Sequence, residues 1–190
     1  MLYIAIGVLG FLVIHTFDFV ALKKVPVLKP VVWLTGSGLL AYAMVMVCLA
    51  PEKLALPTWG TWLGWVLLII SLLLLLYSLF INLPLRKTYL ASGIGDKLVK
   101  TGLYALVRHP GVMWFTLVMV SLVLVAKTQL TLIAAPLFIT LDVVLVVVQD
   151  KFFFVRMFTD YKSYQRETPM LIPNRRSIRA FVDSLKQAKS

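Results

Sequence analysis

This sequence is short of charge. Lys, Arg, Asp and Glu make up 14% of its 190 residues, while 61% are hydrophobic. A typical soluble domain is about half apolar and about a quarter charged. Cysteine is nearly absent too. Cys48 stands alone, which excludes a disulfide within the chain. With only His15 and His109 beside it, no Cys/His metal-site spacing can be drawn, and no metal is expected. Period-two alternation is missing from the apolar stretches, which excludes a membrane β-barrel. There is no internal repeat, and no low-complexity tract beyond the leucines of Leu72–Leu76.

What is present is a set of long uncharged runs: Met1–Phe17, Pro30–Ala50, Leu54–Leu85, Pro110–Ala126 and Thr128–Gln149, the last interrupted only by Asp142. Crossing the hydrocarbon takes roughly 17–25 apolar residues, and each run reaches that length. The first has no basic segment ahead of it and no small-residue cleavage pattern after it, so it reads as a retained helix. The expected fold is all-α and integral to the membrane, with five transmembrane helices at about Leu2–Leu22, Val31–Ala50, Thr61–Leu83, Pro110 onward, and Thr128–Gln149. Trp59 and Trp62 suit an interfacial belt.

The formal net charge is +11. In a soluble protein that would suggest nucleic acid; here the positions explain it without nucleic acid. With the N-terminus outside, 17 of the 19 Lys and Arg residues fall in cytosolic segments, and only Lys53 and Lys127 lie outside. The positive-inside rule therefore places the C-terminus in the cytosol, where the basic surface attracts anionic membrane lipids. The small chain and absent targeting signal suit a prokaryotic cytoplasmic membrane, with the functional face towards the cytosol.

Three parts follow: residues 1–83 as a three-helix membrane part, 84–173 as a functional part, and 174–190 as a basic tail. Gly93, Gly95 and Gly102 punctuate a polar segment between the third and fourth helices. Pro110 suits a first helical position. Lys127-Thr128-Gln129 turns the last two membrane helices into a hairpin, and Lys151–Tyr164 reads as a continuing helix stopped by Pro169 and Pro173. Ile178, Phe181, Val182 and Leu185 recur at helical spacing opposite basic residues, which describes an interfacial amphipathic helix.

The hairpin brings Arg108-His109 and Gln149-Asp150 to one membrane depth. Free N–H groups at the fourth helix's start, with Arg108, suit an anionic group. Asp142 precedes Gln149 by seven residues, nearly two turns, so both share a face. A carboxylate in the bilayer is expensive unless it faces protein or a wet cavity, which makes Asp142 a pocket-lining candidate. His15 and Asp18 read as an interfacial polar pair.

Lys100–Trp114 reads KTGLYALVRHPGVMW, and QDKFFFVRMFTDYKSYQRETPMLIP follows some 40 residues later. This combination resembles the membrane methyltransferase family that includes isoprenylcysteine carboxyl methyltransferase and phospholipid methyltransferases. The likeness spans about Asp96 to Pro173. It rests on Gly102, Tyr104, Arg108-His109-Pro110, the hairpin length, Tyr161, Tyr164 and Pro173. The resemblance implies S-adenosylmethionine cupped at the cytosolic face by Leu98, Val99, Tyr104, Arg108, His109, Pro110, Gln149 and Asp150, with Tyr89 and Asp96 upstream. His109, Arg108 and Asp150 are the implied catalytic residues. The chain departs from the family pattern at Val112, Trp114, Gln149 and Leu145. With Asp142, the first two and Leu145 form the candidate acceptor pocket, and Leu145 in place of an arginine argues against an isoprenylcysteine carboxylate.

The expected function is S-adenosylmethionine-dependent methyl transfer to a lipophilic acceptor dissolved in the membrane. An alternative is an NADPH-dependent reductase of sterol-reductase-like fold, with Lys97, Lys100 and Arg156 serving a 2′-phosphate. A third is a non-catalytic membrane protein that kept the fold.

Overall fold

The computed structural model describes all residues except Lys24, Pro26, Leu85, 91–97 and 188–190, together with the side chains of Lys87 and Gln187. The regular elements of the described chain are all helices: α1 (Leu2–Lys23), α2 (Leu28–Cys48), α3 (Thr58–Leu76), α4 (Leu103–Leu106), α5 (Pro110–Ala126), α6 (Gln129–Val148), α7 (Phe154–Met157), α8 (Tyr161–Glu167) and α9 (Arg175–Gln187). Wider π turns extend α3 over Tyr77–Ile81 and α6 over Gln149–Phe153, and another covers Arg86–Leu90.

Four segments are long and apolar enough to cross a membrane: Leu2–Lys23, Leu28–Cys48, Thr58–Ile81 and Gln129–Met157. The expectation was five. Pro110–Ala126 is as apolar but has 17 residues. Its start is set by Pro110, and its end by Lys127, which takes a left-handed conformation at φ 54°.

Helix α1 packs chiefly on α2, and α3 on α5, with α5 and α6 forming the hairpin between them. Small residues let the first pair approach closely. A Cβ on Gly10 would strike the backbone of Gly36 and Leu40, and one on Gly36 would strike Ile14 and the Gly10 carbonyl. Such small-residue contacts are how helices gain packing energy where lipid leaves no hydrophobic drive. Phe11, Phe115 and Phe138 meet edge-on or tilted, with centroids 5.9–6.1 Å apart, in a core shared by α1, α2, α5 and α6.

The turn between α5 and α6 is tied by polar groups. Thr128 caps α6 by accepting the Thr131 N–H at 3.0 Å, and its hydroxyl donates to the Val47 carbonyl at 2.7 Å. One side chain thereby serves the end carbonyls of α2 and the start of α6, where intrahelical partners run out. Lys53 bridges to Thr128, and the Leu54 N–H donates to the Lys127 carbonyl at 2.6 Å.

Three boundaries differ from expectation. Helix α2 starts at Leu28, because Pro30 is tolerated in a first turn; Lys29 is therefore helical and buried (2% exposed) rather than part of a solvated loop. The π turn of Tyr77–Ile81 replaces the end of the expected third helix. Lys151–Tyr164 is broken at Phe158, which is extended (φ −123°, ψ 120°), so the chain bends back and α8 lies beneath the α6 terminus.

Candidate functional site

Val107 is extended (φ −148°, ψ 155°) and separates α4 from α5. The Arg108 N–H donates to the Pro169 carbonyl at 2.9 Å and the His109 N–H to Met170 at 3.2 Å. The segment after α8 thus holds the Arg-His pair as a strand would. Upstream, Asn82 at the end of α3 accepts the Leu103 N–H at 2.9 Å and donates to the Thr101 carbonyl at 3.3 Å. This contact passes over Gly102, whose φ of 60° and ψ of −136° suit glycine alone; an added Cβ would hit the Asn82 amide.

Asp150 is the hub. Its carboxylate faces five donors: Arg108 Nε at 2.8 Å and Nη2 at 3.0 Å, Tyr161 Oη at 2.6 Å, Gln165 Nε2 at 3.0 Å, and His109 Nε2 at 3.3 Å. Arg108 gives its remaining Nη1 to the carbonyls of Gln165 and Thr168. The Arg108 and Asp150 side chains are only 9% and 7% exposed. Burial opposes the arginine's charge, but the bidentate carboxylate outweighs it and raises Arg108 above its ordinary pKa. Burial, then the Asp150 charge, raises Tyr161, which stays a neutral donor; burial also raises Tyr164, whose hydroxyl donates to the Tyr104 carbonyl.

His109 is 6% exposed and stacks on Phe154 at 5.7 Å and 15°. Burial lowers its pKa against the pull of Asp150, so the ring is neutral at pH 7. A neutral imidazole facing a carboxylate through Nε2 carries its proton there, leaving Nδ1 as a lone pair. No partner for Nδ1 occurs among the described residues.

His109 forms part of the wall of a cavity of about 500 Å³. Its wall near His109 includes Tyr89, Leu98, Val99, Tyr104, Arg108 and Gln149; its deep wall includes Phe11, Leu40, Met44, Leu72, Phe115 and Val118. Tyr89 stacks on Trp33 at 4.8 Å. Tyr104 Oη donates to the Ser78 carbonyl in the π turn at 3.3 Å. Gln149 Nε2 donates to Asp18 Oδ2 at 2.7 Å, and Lys29 lies near enough to attract the same carboxylate.

The cavity thus gathers Tyr89, Leu98, Val99, Tyr104, Arg108, His109 and Gln149, with Val112, Asp142 and Leu145 from the candidate acceptor pocket. Three of the expected residues lie elsewhere. Pro110 is buried as the first residue of α5 outside the cavity wall, and Asp150 sits behind His109 rather than on the surface. Trp114 is about a quarter-turn from the face of Gly111, Phe115 and Val118 that forms the wall, and its indole N–H is buried without a partner among the described residues. Asp96 lies outside the described residues, as does Lys97.

Asp18 pairs with Gln149, not with His15, whose Nδ1 bonds the Phe11 carbonyl of its own helix at 2.9 Å. Asp18, Lys29, Trp33 and Phe154 escaped the sequence reading as wall residues. Phe11, Ile14 and Asp18 recur at helical spacing on one face of α1, the one signal that marks Asp18.

No curated protein and no solved structure matches the chain. One family model, described as a protein of unknown function (DUF1295), matches residues 21–168, from the end of α1 through the Thr168 contact to Arg108. That match covers well over half of the sequence, including all the residues gathered around Asp150, and the chain belongs to the DUF1295 family.

Proposed function

We propose that this chain is a membrane enzyme that transfers a methyl group from S-adenosylmethionine to a lipophilic acceptor, at the cytosolic ends of five membrane-crossing helices. In this reading Pro110–Ala126 crosses with its flanking residues, the N-terminus lies outside, and the membrane is a prokaryotic cytoplasmic one. The observation that carries the reading is His109. It is a neutral imidazole, oriented by a saturated carboxylate, where a polar rim meets an apolar cavity.

Among the described wall residues, the charged groups are Asp18, Asp142, Lys29 and Arg108, and Arg108 already has every guanidinium nitrogen engaged. Asp18 beside Gln149 and little available positive charge suit a cationic sulfonium better than the phosphates of a dinucleotide. When bound, the cofactor supplies an electrophilic methyl group. Tyr89, Leu98, Val99 and Tyr104 form an aromatic and aliphatic rim of the kind an adenosyl group stacks on. Gln149 keeps its amide oxygen for a hydroxyl. The deep wall aligns the acceptor and excludes water, which is most of what an in-line displacement requires. His109 Nδ1 takes the proton of an acceptor O–H or N–H. Arg108 and Asp150 hold the ring.

Calorimetry on the protein in lipid nanodiscs tests the reading. S-adenosylmethionine and S-adenosylhomocysteine should bind below millimolar concentration, and NADPH should give no heat. If neither adenosyl compound binds, methyl transfer is refuted; NADPH binding in their place would turn the site into a reductase. His109→Gln should retain S-adenosylhomocysteine affinity while lowering methyl incorporation into a lipid extract by about 10²–10⁴-fold. The wild-type rate should hold at neutral pH and fall only below the ordinary histidine range of about 6.5, because protonation removes the lone pair and burial delays it.

A further inference from the structure

Among the described residues of the cavity wall, Asp142 is the one carboxyl to which the mechanism gives no work. It lies on α6 nearly two turns before Gln149, on the same face, which puts it about 10 Å further along the helix. Leu145 and Val146 follow it by one turn on α6, and Phe138, one turn before it, meets Phe11, which in turn meets Phe115, so its surroundings are apolar. Asp18 and Asp150 both have strong partners, but Asp142 has no hydrogen bond or ion pair among the described residues. Its oxygens are not sealed away either, since among the described residues the buried side-chain nitrogen and oxygen atoms without partners are those of Thr61 and Trp114.

A carboxyl at this depth is costly to keep without a partner. Placed in the wall of a cavity, it asks for a donor from whatever fills that cavity. On α2, Leu40 and Met44 follow Lys29 by eleven and fifteen residues, further than the seven that separate Asp142 from Gln149, so the cavity extends past Asp142 and the filling molecule is apolar on both sides of the contact.

We infer that Asp142 is a second binding point for the lipophilic molecule in the cavity, which therefore carries a hydroxyl or amine about 10 Å from the atom presented to His109. Where that molecule is the methyl acceptor, the inference rests on the proposed methyl transfer; the contact itself does not require it. A simple hydrocarbon chain would leave the carboxyl unpaired and be rejected, since a buried polar group without its partner discriminates far better than an extra methylene. A long-chain alcohol or amine, or a polycyclic lipid with a polar group at its far end, meets the requirement.

Labelling the wild-type protein in nanodiscs with dicyclohexylcarbodiimide, a lipophilic reagent for carboxyls in apolar surroundings, tests this directly. Mass spectrometry should locate the adduct on Asp142, and Asp142→Asn should remove it. Dodecanol or dodecylamine should slow labelling by ten-fold or more; dodecane, matched in length but without a donor, should not. Equal protection by all three, or an unreactive Asp142, overturns the inference without appeal to any variant's folding. S-adenosylhomocysteine affinity, measured on the same samples, should change less than three-fold in Asp142→Asn. If the nucleoside fails to bind while selective protection persists, the methyl-transfer reading falls and the Asp142 contact stands.

Discussion

Asp150 shows how a residue can be the hub of a cluster without reaching the cavity wall. Its charge is held by a bidentate arginine, a tyrosine, a glutamine and a histidine, all converging from α4–α5 and α8. Removing one partner of such a buried pair leaves the other charge uncompensated, at a cost of about 3–5 kcal/mol. Asp150→Ala should therefore lower thermal stability in detergent by that order. Tyr161→Phe, which loses one charge-assisted bond, should cost about 1.5–3 kcal/mol. Equal melting temperatures for wild type and Asp150→Ala would show that the cluster does not hold the site together. The sequence placed Arg108 and Asp150 at one depth, because a tight hairpin must return its ends to the same level. Their mutual pairing was not legible. Side chains of such length can face each other or a ligand, and only the backbone bonds to Pro169 and Met170 decide which.

At the scale of elements, the π turns carry what helical periodicity does not describe. Gln149–Phe153 widens the end of α6 so that Gln149 faces the cavity while Asp150 turns towards α8. Short π segments often accompany functional sites, and no residue pattern announces them. The connection at Gly102 is similar. Its glycine was visible as a turn signal, but the positive φ and the Asn82 clasp emerge only when α3 and α4 are packed together. Gly102→Ala should cost about 1–3 kcal/mol of stability, by differential scanning fluorimetry, through backbone strain and the clash with Asn82. An unchanged melting temperature would mean that the clasp is dispensable.

For the whole molecule, sidedness is the quantity to measure. Basic residues cluster at the ends that carry His109, and the opposite end closes through Thr128 and Lys53. With Cys48 replaced by alanine, a cysteine at exposed position Glu52 should react with an impermeant maleimide on intact cells, and one at exposed Lys162 only after permeabilisation. The reverse pattern would put the cavity mouth outside and remove it from the cytosolic pool of S-adenosylmethionine.

Composition alone determined that the chain is a helical membrane protein, because long uncharged runs have no other stable solution in lipid. Local pattern determined where α5 and α6 begin and end, since Pro110, Lys127 and Thr128 act on their own neighbours. Tertiary structure decided the rest. It buried Lys29 in a first helical turn, gave Asp18 to Gln149 rather than to His15, turned Trp114 off the cavity face, and set Asp142 in the wall without a partner among the described residues. Each of these depends on which helix faces stand opposite one another, and that follows from packing between segments far apart in the chain.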